Sequence, residues 1–493
     1  MPNEQNSNQR SRGLLIRVVL LIILLLVYLH TLLPGVGYST DTAKFQFVGY
    51  VLGTPHPPGC PTYILLNHLF TKAVPIGSIA YRANLLSAVF SLLTALLLFE
   101  ILKLFQIKNF TAALVCLSFG VTPTMWSQSI IAEIYSLNAL FVAGVIYFFL
   151  RWNSTRKTAD LLMACAIYAF SFGNHLTMAT FLPAIFYLIW RTDKSVFYNW
   201  KLVPMIILLA VLGALQYLYP VWRYYDPNTV FMEMQTWDFK TFWYAITGAQ
   251  FQPRMFAFDV KTVILERIPL FLRLLWKEYF LLTAISLFGM SRIKIKKTVV
   301  FLLLAILGNL FYSLNYNIED ISVYFIPTYL ILAVFLGIGI QAVSETLLRD
   351  RKYISVPLVI LIPVFLFIMN GHHIDQSKNT ADAAKAKSIL EKVGRDAVII
   401  APGKEFSRHY FFYYLFAENM REKNIFLIRF WPHIIRDYVA FRKPYYFREI
   451  RKFVRPGLKV YCLKESQRVA LQKRFGLKLQ RVDGDLYRVE AAD

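Results

Sequence analysis

Cysteine is scarce in this chain: Cys60, Cys116, Cys165 and Cys462 are the four among 493 residues. Their spacing suggests neither a disulfide framework nor a zinc site, and no Cys/His cluster accompanies them. Acidic residues are also few, 30 against 53 Lys and Arg, which leaves a net charge of +23. No internal repeat and no low-complexity tract is present. What the chain has in excess is apolar sequence. Hydrophobic residues make up 57%, above the roughly 45–50% of soluble proteins. Runs such as Leu14–Leu33, Leu85–Phe105, Ile206–Val221 and Ser322–Gly339 are long enough, or nearly so, to cross a hydrocarbon core of about 30 Å. The sequence is that of an integral membrane protein. Its excess of basic residues then reads first as positive-inside loops, and no nucleic-acid partner is expected.

The apolar runs predict eleven spans, near 14–34, 83–105, 110–127, 134–150, 159–174, 177–190, 203–221, 278–291, 298–314, 322–342 and 353–370. The first run follows a polar tail, residues 1–13, and lacks a small-x-small cleavage site, so it reads as a retained helix. With eleven spans the basic clusters fall on one side. They are Arg10, Arg12 and Arg17; Lys103 and Lys108; Arg151, Arg156 and Lys157; Arg191, Lys194 and Lys201; Arg292, Lys294, Lys296 and Lys297; and Arg349, Arg351 and Lys352. That side is cytoplasmic by the positive-inside rule. The opposite side receives the loop 35–82, the segment 222–277 and the C-terminal region 371–493. Strand-like runs Ala397–Ala401, Ile425–Phe430 and Val460–Leu463, with a helical pattern over Ala381–Val393, make that last region a small soluble α/β domain. Phe45–Leu52 and Tyr63–Val74 are too short to span and read as interfacial helices. A bacterial inner membrane is the expected location.

Polar residues gather on the outer side. Asp41 follows the first span and reads either as a helix cap or as a partly desolvated general base. His56-Pro57-Pro58-Gly59 is a stiff turn, because the prolines fix φ and Gly permits reversal. His56 is then either a bystander or a group held near a phosphate or sugar. Glu133 stands in an apolar stretch, where a charge is costly and usually functional. His175 follows Asn174 at another outer junction. Arg223 tops the seventh span and suits phosphate oxygens, or it snorkels to the interface. Asp320 and Tyr324 lie at the outer end of the ninth and tenth spans.

Several blocks carry a resemblance. Asp41-Thr42-Ala43-Lys44-Phe45, Leu52-Gly53, His56-Pro57-Pro58-Gly59, Pro61 and Tyr81-Arg82-Ala83-Asn84-Leu85-Leu86-Ser87 form the first. Ala132-Glu133-Ile134-Tyr135-Ser136-Leu137-Asn138, Gly173-Asn174-His175-Leu176-Thr177, and Asp320 with Tyr324-Phe325-Ile326-Pro327 form the others. Over residues 30–340 the chain resembles a multi-spanning family that includes a vertebrate endoplasmic-reticulum protein O-mannosyltransferase. That family is similar to GT-C glycosyltransferases. The resemblance implies an all-α GT-C-like membrane domain, a polyprenyl-phosphate sugar as donor, and a protein, glycan or lipid acceptor. It implies Asp41 as base, with His56 and Arg223 at the phosphate and Glu133, His175, Asp320 and Tyr324 around sugar or acceptor. The chain departs from the family at Lys44, where a second acid is usual, and at Cys60, where an aromatic residue is common. Losing the second carboxylate weighs against metal bridging at Asp41. No metal ligand is assigned, and a divalent cation stays open as cofactor. A transporter or lipid flippase, or a non-catalytic relative, is the alternative. Transporters place polar groups near the midplane and often show repeats, and this chain does neither.

Overall fold

The structure, a computed structural model, describes residues 2–234, 236, 238–346, 352–401, 408–418, 420, 425–430, 435–437, 445–447, 459–475 and 478–490. Arg349 and Arg351, counted above among the inner basic residues, lie outside them. The chain is mostly helical, with one mixed sheet near its C-terminus. Among the described residues, six helices are long and apolar enough to cross a bilayer: Ser11–Thr31, Ile79–Leu104, Tyr135–Thr155, Leu202–Tyr225, Lys296–Leu314 and Ile321–Thr346. The expected span 110–127 is not one straight helix. It is a pair, Asn109–Gly120 and Pro123–Ser129, bent by 74°. Pro123 explains the break, because it cannot continue the ladder of the preceding helix. The remaining four expected spans appear as shorter apolar helices, Thr158–Ser171, Leu176–Thr192, Leu282–Ser291 and Ile360–Ile374.

Burial sorts these helices into a centre and a rim. Of the most apolar window in Ile321–Thr346, 89% is buried; in Leu202–Tyr225 the share is 11%. The latter exposes Ile207, Leu208, Val211 and Leu215 outward. Apolar residues in that number face lipid, since water would not tolerate them as one surface.

Helices form near both short apolar runs, Thr40–Val48 and Pro61–Ala73. Ser39 caps the first, its side chain accepting from Thr42 N. Asp41 therefore lies inside the first turn and is not the cap. A carboxylate there is favoured by the helix dipole. The C-terminal sheet has the order β4-β3-β2-β1-β5-β7-β6, built from β1 (Ala397–Ala401), β2 (Ile425–Phe430), β3 (Ile435–Asp437), β4 (Tyr445–Phe447), β5 (Lys459–Cys462), β6 (Leu479–Asp483) and β7 (Leu486–Val489). Its centre, β2-β1-β5, is parallel and its flanks are antiparallel. The Arg408–Phe416 helix of this domain packs against Thr40–Val48. Phe412 and Phe416 join Phe47 and Phe231 there in one aromatic cluster, with centroids 5.0–6.4 Å apart. Tyr413 Oη accepts from Ala80 N at 3.2 Å. The C-terminal sheet domain is thus seated on the loop 35–82 that carries Asp41.

Candidate active site

Asn84, in the block Tyr81–Ser87, holds three segments together. Its Nδ2 donates to Leu33 O at 2.8 Å, after the first helix. Its Oδ1 accepts from Gln46 Nε2 in the Asp41 helix and from Ala132 N beside Glu133, both at 2.9 Å. A buried amide with its hydrogen bonds made in this way fixes relative position. Thr62 N donates to Gly173 O at 2.9 Å, and Asn174 Nδ2 to Ile134 O at 3.1 Å, which brings His175 to the same face.

Lys44 is the hub of the polar cluster. Its Nζ donates to Asp41 Oδ1 at 2.9 Å, lies 2.8 Å from Glu233 Oε2, and donates to His56 Nδ1 at 2.7 Å. The Lys44 side chain is 4% exposed and that of Asp41 is 52% exposed. Asp41 therefore shows a free edge to the outside while Lys44 anchors its other edge. Burial opposes ionisation of Asp41, but the Lys44 charge outweighs it and lowers the carboxyl to about pKa 2. His56 is held below its ordinary pKa by burial and by Lys44. With Nδ1 accepting from Lys44, the neutral ring carries its proton on Nε2. That N–H is a donor toward any ligand.

Glu233 had no signal in the sequence beyond being a lone acid in Phe231-Met232-Glu233-Met234. The fold places it by pairing Thr54 with that stretch: Thr54 N donates to Phe231 O at 3.1 Å and Glu233 N to Thr54 O at 2.8 Å. Gly53 permits this approach, because a Cβ there would stand 2.9 Å from Phe231 O. On its far side Glu233 Oε1 meets His409 Nε2 at 3.2 Å and Arg408 at 3.4 Å. The soluble domain thus reaches the cluster through His409, a residue the sequence did not single out. Tyr38, Leu52 and Cys60 bracket this loop, each with positive φ of 77°, 51° and 43°. Non-glycine residues in that region cost about 1–2 kcal/mol each, and such strain gathers at functional sites.

Glu133 joins from the opposite side, accepting from Thr42 Oγ1 at 2.9 Å. Burial, then the Asp41 charge, raises its pKa well above the usual value. Asp320, exposed at the rim, acts on Glu133 in the same direction. His175 lies between Tyr135 and Tyr324, at 5.7 and 5.3 Å between centroids, with Nδ1 on Thr177 Oγ1 at 2.6 Å. The structure therefore gathers Asp41, His56, Glu133, His175, Asp320 and Tyr324 on one face. Arg223 is engaged differently from the expectation. It is buried, donates to Leu52 O at 2.7 Å and pairs with Asp226. With Tyr219 Oη on Gly53 O at 3.0 Å, it braces the turn that precedes His56.

An apolar cavity of about 910 Å³ is lined by Phe172, Leu176, Ala210, Tyr217, Trp243 and Thr247 among others. Its Leu176–Thr247 end adjoins Gly248 and Phe251. The Phe251 ring stands 5.9 Å from that of His56. Phe251 thus separates this apolar space from the polar cluster.

Residues 41–197 match the model of the Protein O-mannosyl-transferase TMEM260 N-terminal domain. The resemblance read from the motifs agrees with this match, which covers residues 41–197. Asp41 opens the matched stretch, which also holds Lys44, His56, Glu133 and His175. Protein O-mannosyl-transferase TMEM260 of Mus musculus is 26% identical over 408 residues, 75% of this chain and 56% of that protein. The Dictyostelium discoideum protein of the same name is 21% identical over 217 residues, 41% of this chain and 26% of that one. The chain thus spans about half the length of the mouse relative. Among solved structures, ArnT from Cupriavidus metallidurans bound to undecaprenyl phosphate has a TM-score of 0.64 at 12% identity, covering 97% of each chain. The apo form has a TM-score of 0.60, covering 97% of this chain and 98% of that one. The fold is ArnT-like. This agrees with the GT-C-like membrane domain expected from the sequence.

Proposed function

We propose that the chain is a membrane glycosyltransferase. It moves a hexose, mannose-like by family resemblance, from a polyprenyl-phosphate sugar to an acceptor hydroxyl at the extracytoplasmic face. The observation that carries this reading is an apolar cavity of about 910 Å³ whose Leu176–Thr247 end comes, through Phe251, next to the His56 ring. A polyprenyl tail needs apolar walls, and its phosphate needs donors at the mouth. The ArnT neighbour was solved with undecaprenyl phosphate, which supports the same donor class here. The mouse and Dictyostelium relatives are named as protein O-mannosyl-transferases, which supports a protein acceptor. The arrangement of basic loops supports a cytoplasmic N-terminus, with site and soluble domain outside an inner membrane.

In the reaction the exposed edge of Asp41 takes the proton of the acceptor hydroxyl. The acceptor oxygen forms the new bond at the anomeric carbon. The bond from that carbon to the phosphate oxygen breaks, and polyprenyl phosphate leaves with the electron pair, with inversion. His56 Nε2–H donates to the phosphate, and Arg223 acts as a positioning residue behind it. Glu133, His175, Asp320 and Tyr324 border the space for sugar and acceptor, and aromatic faces suit a sugar ring. Because phosphate is already a good leaving group, positioning and charge complementarity supply much of the rate.

The test uses purified protein in lipid with synthetic polyprenyl-phosphate mannose and polyprenyl-phosphate glucose. Release of polyprenyl phosphate, with sugar transferred to water or an acceptor, is the expected result. A folded protein that turns over neither donor but moves either one across a vesicle bilayer would establish the flippase reading instead.

A further inference from the structure

We infer that Lys44 is the built-in cation of this site: its ammonium holds Asp41, Glu233 and His56 together where a divalent ion would otherwise stand, and the site takes no metal. This deepens the transferase reading.

An ammonium has three N–H donors and no acceptor. Lys44 Nζ has three partners within 3 Å, Asp41 Oδ1, Glu233 Oε2 and His56 Nδ1. These are the carboxylate and imidazole groups that a divalent ion would recruit. With all three within 3 Å of Nζ, a metal would have to displace a side chain that is 4% exposed from the middle of them. The local charge is also closed. The two carboxylates of the cluster face Lys44 and Arg408. A divalent ion would add uncompensated positive charge. Among the described residues, no group of three or more His, Cys, Asp and Glu side chains is arranged to hold a metal. Burial alone would lower the Lys44 pKa, but Glu233 and Asp41 raise it to about 12, so the ammonium is permanent at physiological pH. An acid at this position would reverse the balance, leaving three carboxylates against Arg408 alone.

The experiment is Mn²⁺ titration of the full-length protein followed by EPR, with Tm measured in EDTA and in millimolar Mn²⁺. Wild type is expected to show no saturable Mn²⁺ site and a Tm unmoved by EDTA. Lys44→Glu is expected to gain one saturable site and a Tm that rises with Mn²⁺. Saturable binding to wild type that Asp41→Asn abolishes would overturn the inference. So would a folded Lys44→Glu protein that binds no more Mn²⁺ than wild type. If Lys44→Glu does not fold, the wild-type and Asp41→Asn titrations still decide. No arm reads sugar transfer, so failure of this inference and failure of the transferase reading are separable.

Discussion

Lys44 Nζ and Glu233 Oε2 stand 2.8 Å apart, with side chains only 4% and 13% exposed. Two outer segments far apart in the chain are joined there by a buried ion pair. Removing one member of such a pair leaves an uncompensated charge, at a cost of about 3–5 kcal/mol, whereas replacing both by apolar groups is often neutral. Glu233→Gln is therefore expected to lower Tm by several degrees, and Lys44→Met/Glu233→Leu to recover only part of that loss, because Asp41, Arg408 and His409 lose their partners. Thermal melts of the two variants check this. Equal losses in both would show that the pair adds nothing specific.

His409 carries the soluble domain into the cluster, and its titration sets a pH dependence. Burial, only partly offset by Glu233, lowers its pKa from 6.5 to about 4. A base with a depressed folded pKa gives stability that is complete above pH 6.5 and lost as pH falls toward 4. Tm should therefore fall across that window in wild type. In His409→Gln, which keeps an N–H donor for Glu233, the fall should be shallower. Parallel Tm-against-pH curves for the two proteins would contradict this assignment.

Glu133 has the opposite sign. Its folded pKa is raised above 4.5, first by burial and then by Asp41. Its contribution is therefore favourable below pH 4.5 and is lost as pH rises through the folded pKa. Glu133→Gln keeps the acceptor for Thr42 and removes the charge. Its Tm relative to wild type should be higher at pH 8 than at pH 5. A variant relatively less stable at pH 8 would mean that Glu133 is held as a carboxylate.

Gly59 ends the His-Pro-Pro-Gly turn at φ +92°, and a Cβ there would lie 2.7 Å from Met234 Sδ. A side chain in that backbone region costs about 1–2 kcal/mol before any clash. Gly59→Ala should lower Tm by a few degrees and reduce donor turnover, since Met234 neighbours Glu233. Gly59→Ala/Met234→Ala should recover only part of the stability, because the φ strain remains. Full recovery would assign the whole effect to the contact.

The membrane fold was legible because a bilayer imposes hydropathy directly on sequence: each of the eleven expected spans has an apolar helix or a bent helical pair near it. The short helices Thr40–Val48 and Pro61–Ala73 were legible for a similar reason, lying in apolar runs too short to cross. Lys44 was legible as a departure from a motif, and Asp41 and His56 as candidates beside it, but Glu233 was not. Glu233 acquires its place through backbone pairing with Thr54, and nothing periodic in Phe231–Met234 announces that contact. His409 stands in an aromatic run, His409-Tyr410-Phe411-Phe412-Tyr413, whose pattern reads as packing. Only docking of the soluble domain turns it toward the site. Arg223 shows the converse. Its charge and outer position suggested phosphate binding, while the fold directs its guanidinium to Leu52 O and Asp226.

The most direct measurement is the initial rate of polyprenyl phosphate release from polyprenyl-phosphate mannose, wild type against Asp41→Asn, in lipid and at matched Tm. General-base catalysis contributes about 10²–10⁴-fold. A loss of that order in Asp41→Asn is the expected result and places the base on the exposed edge of Asp41. A rate equal to wild type would contradict that assignment and move the proton transfer to another group of the cluster.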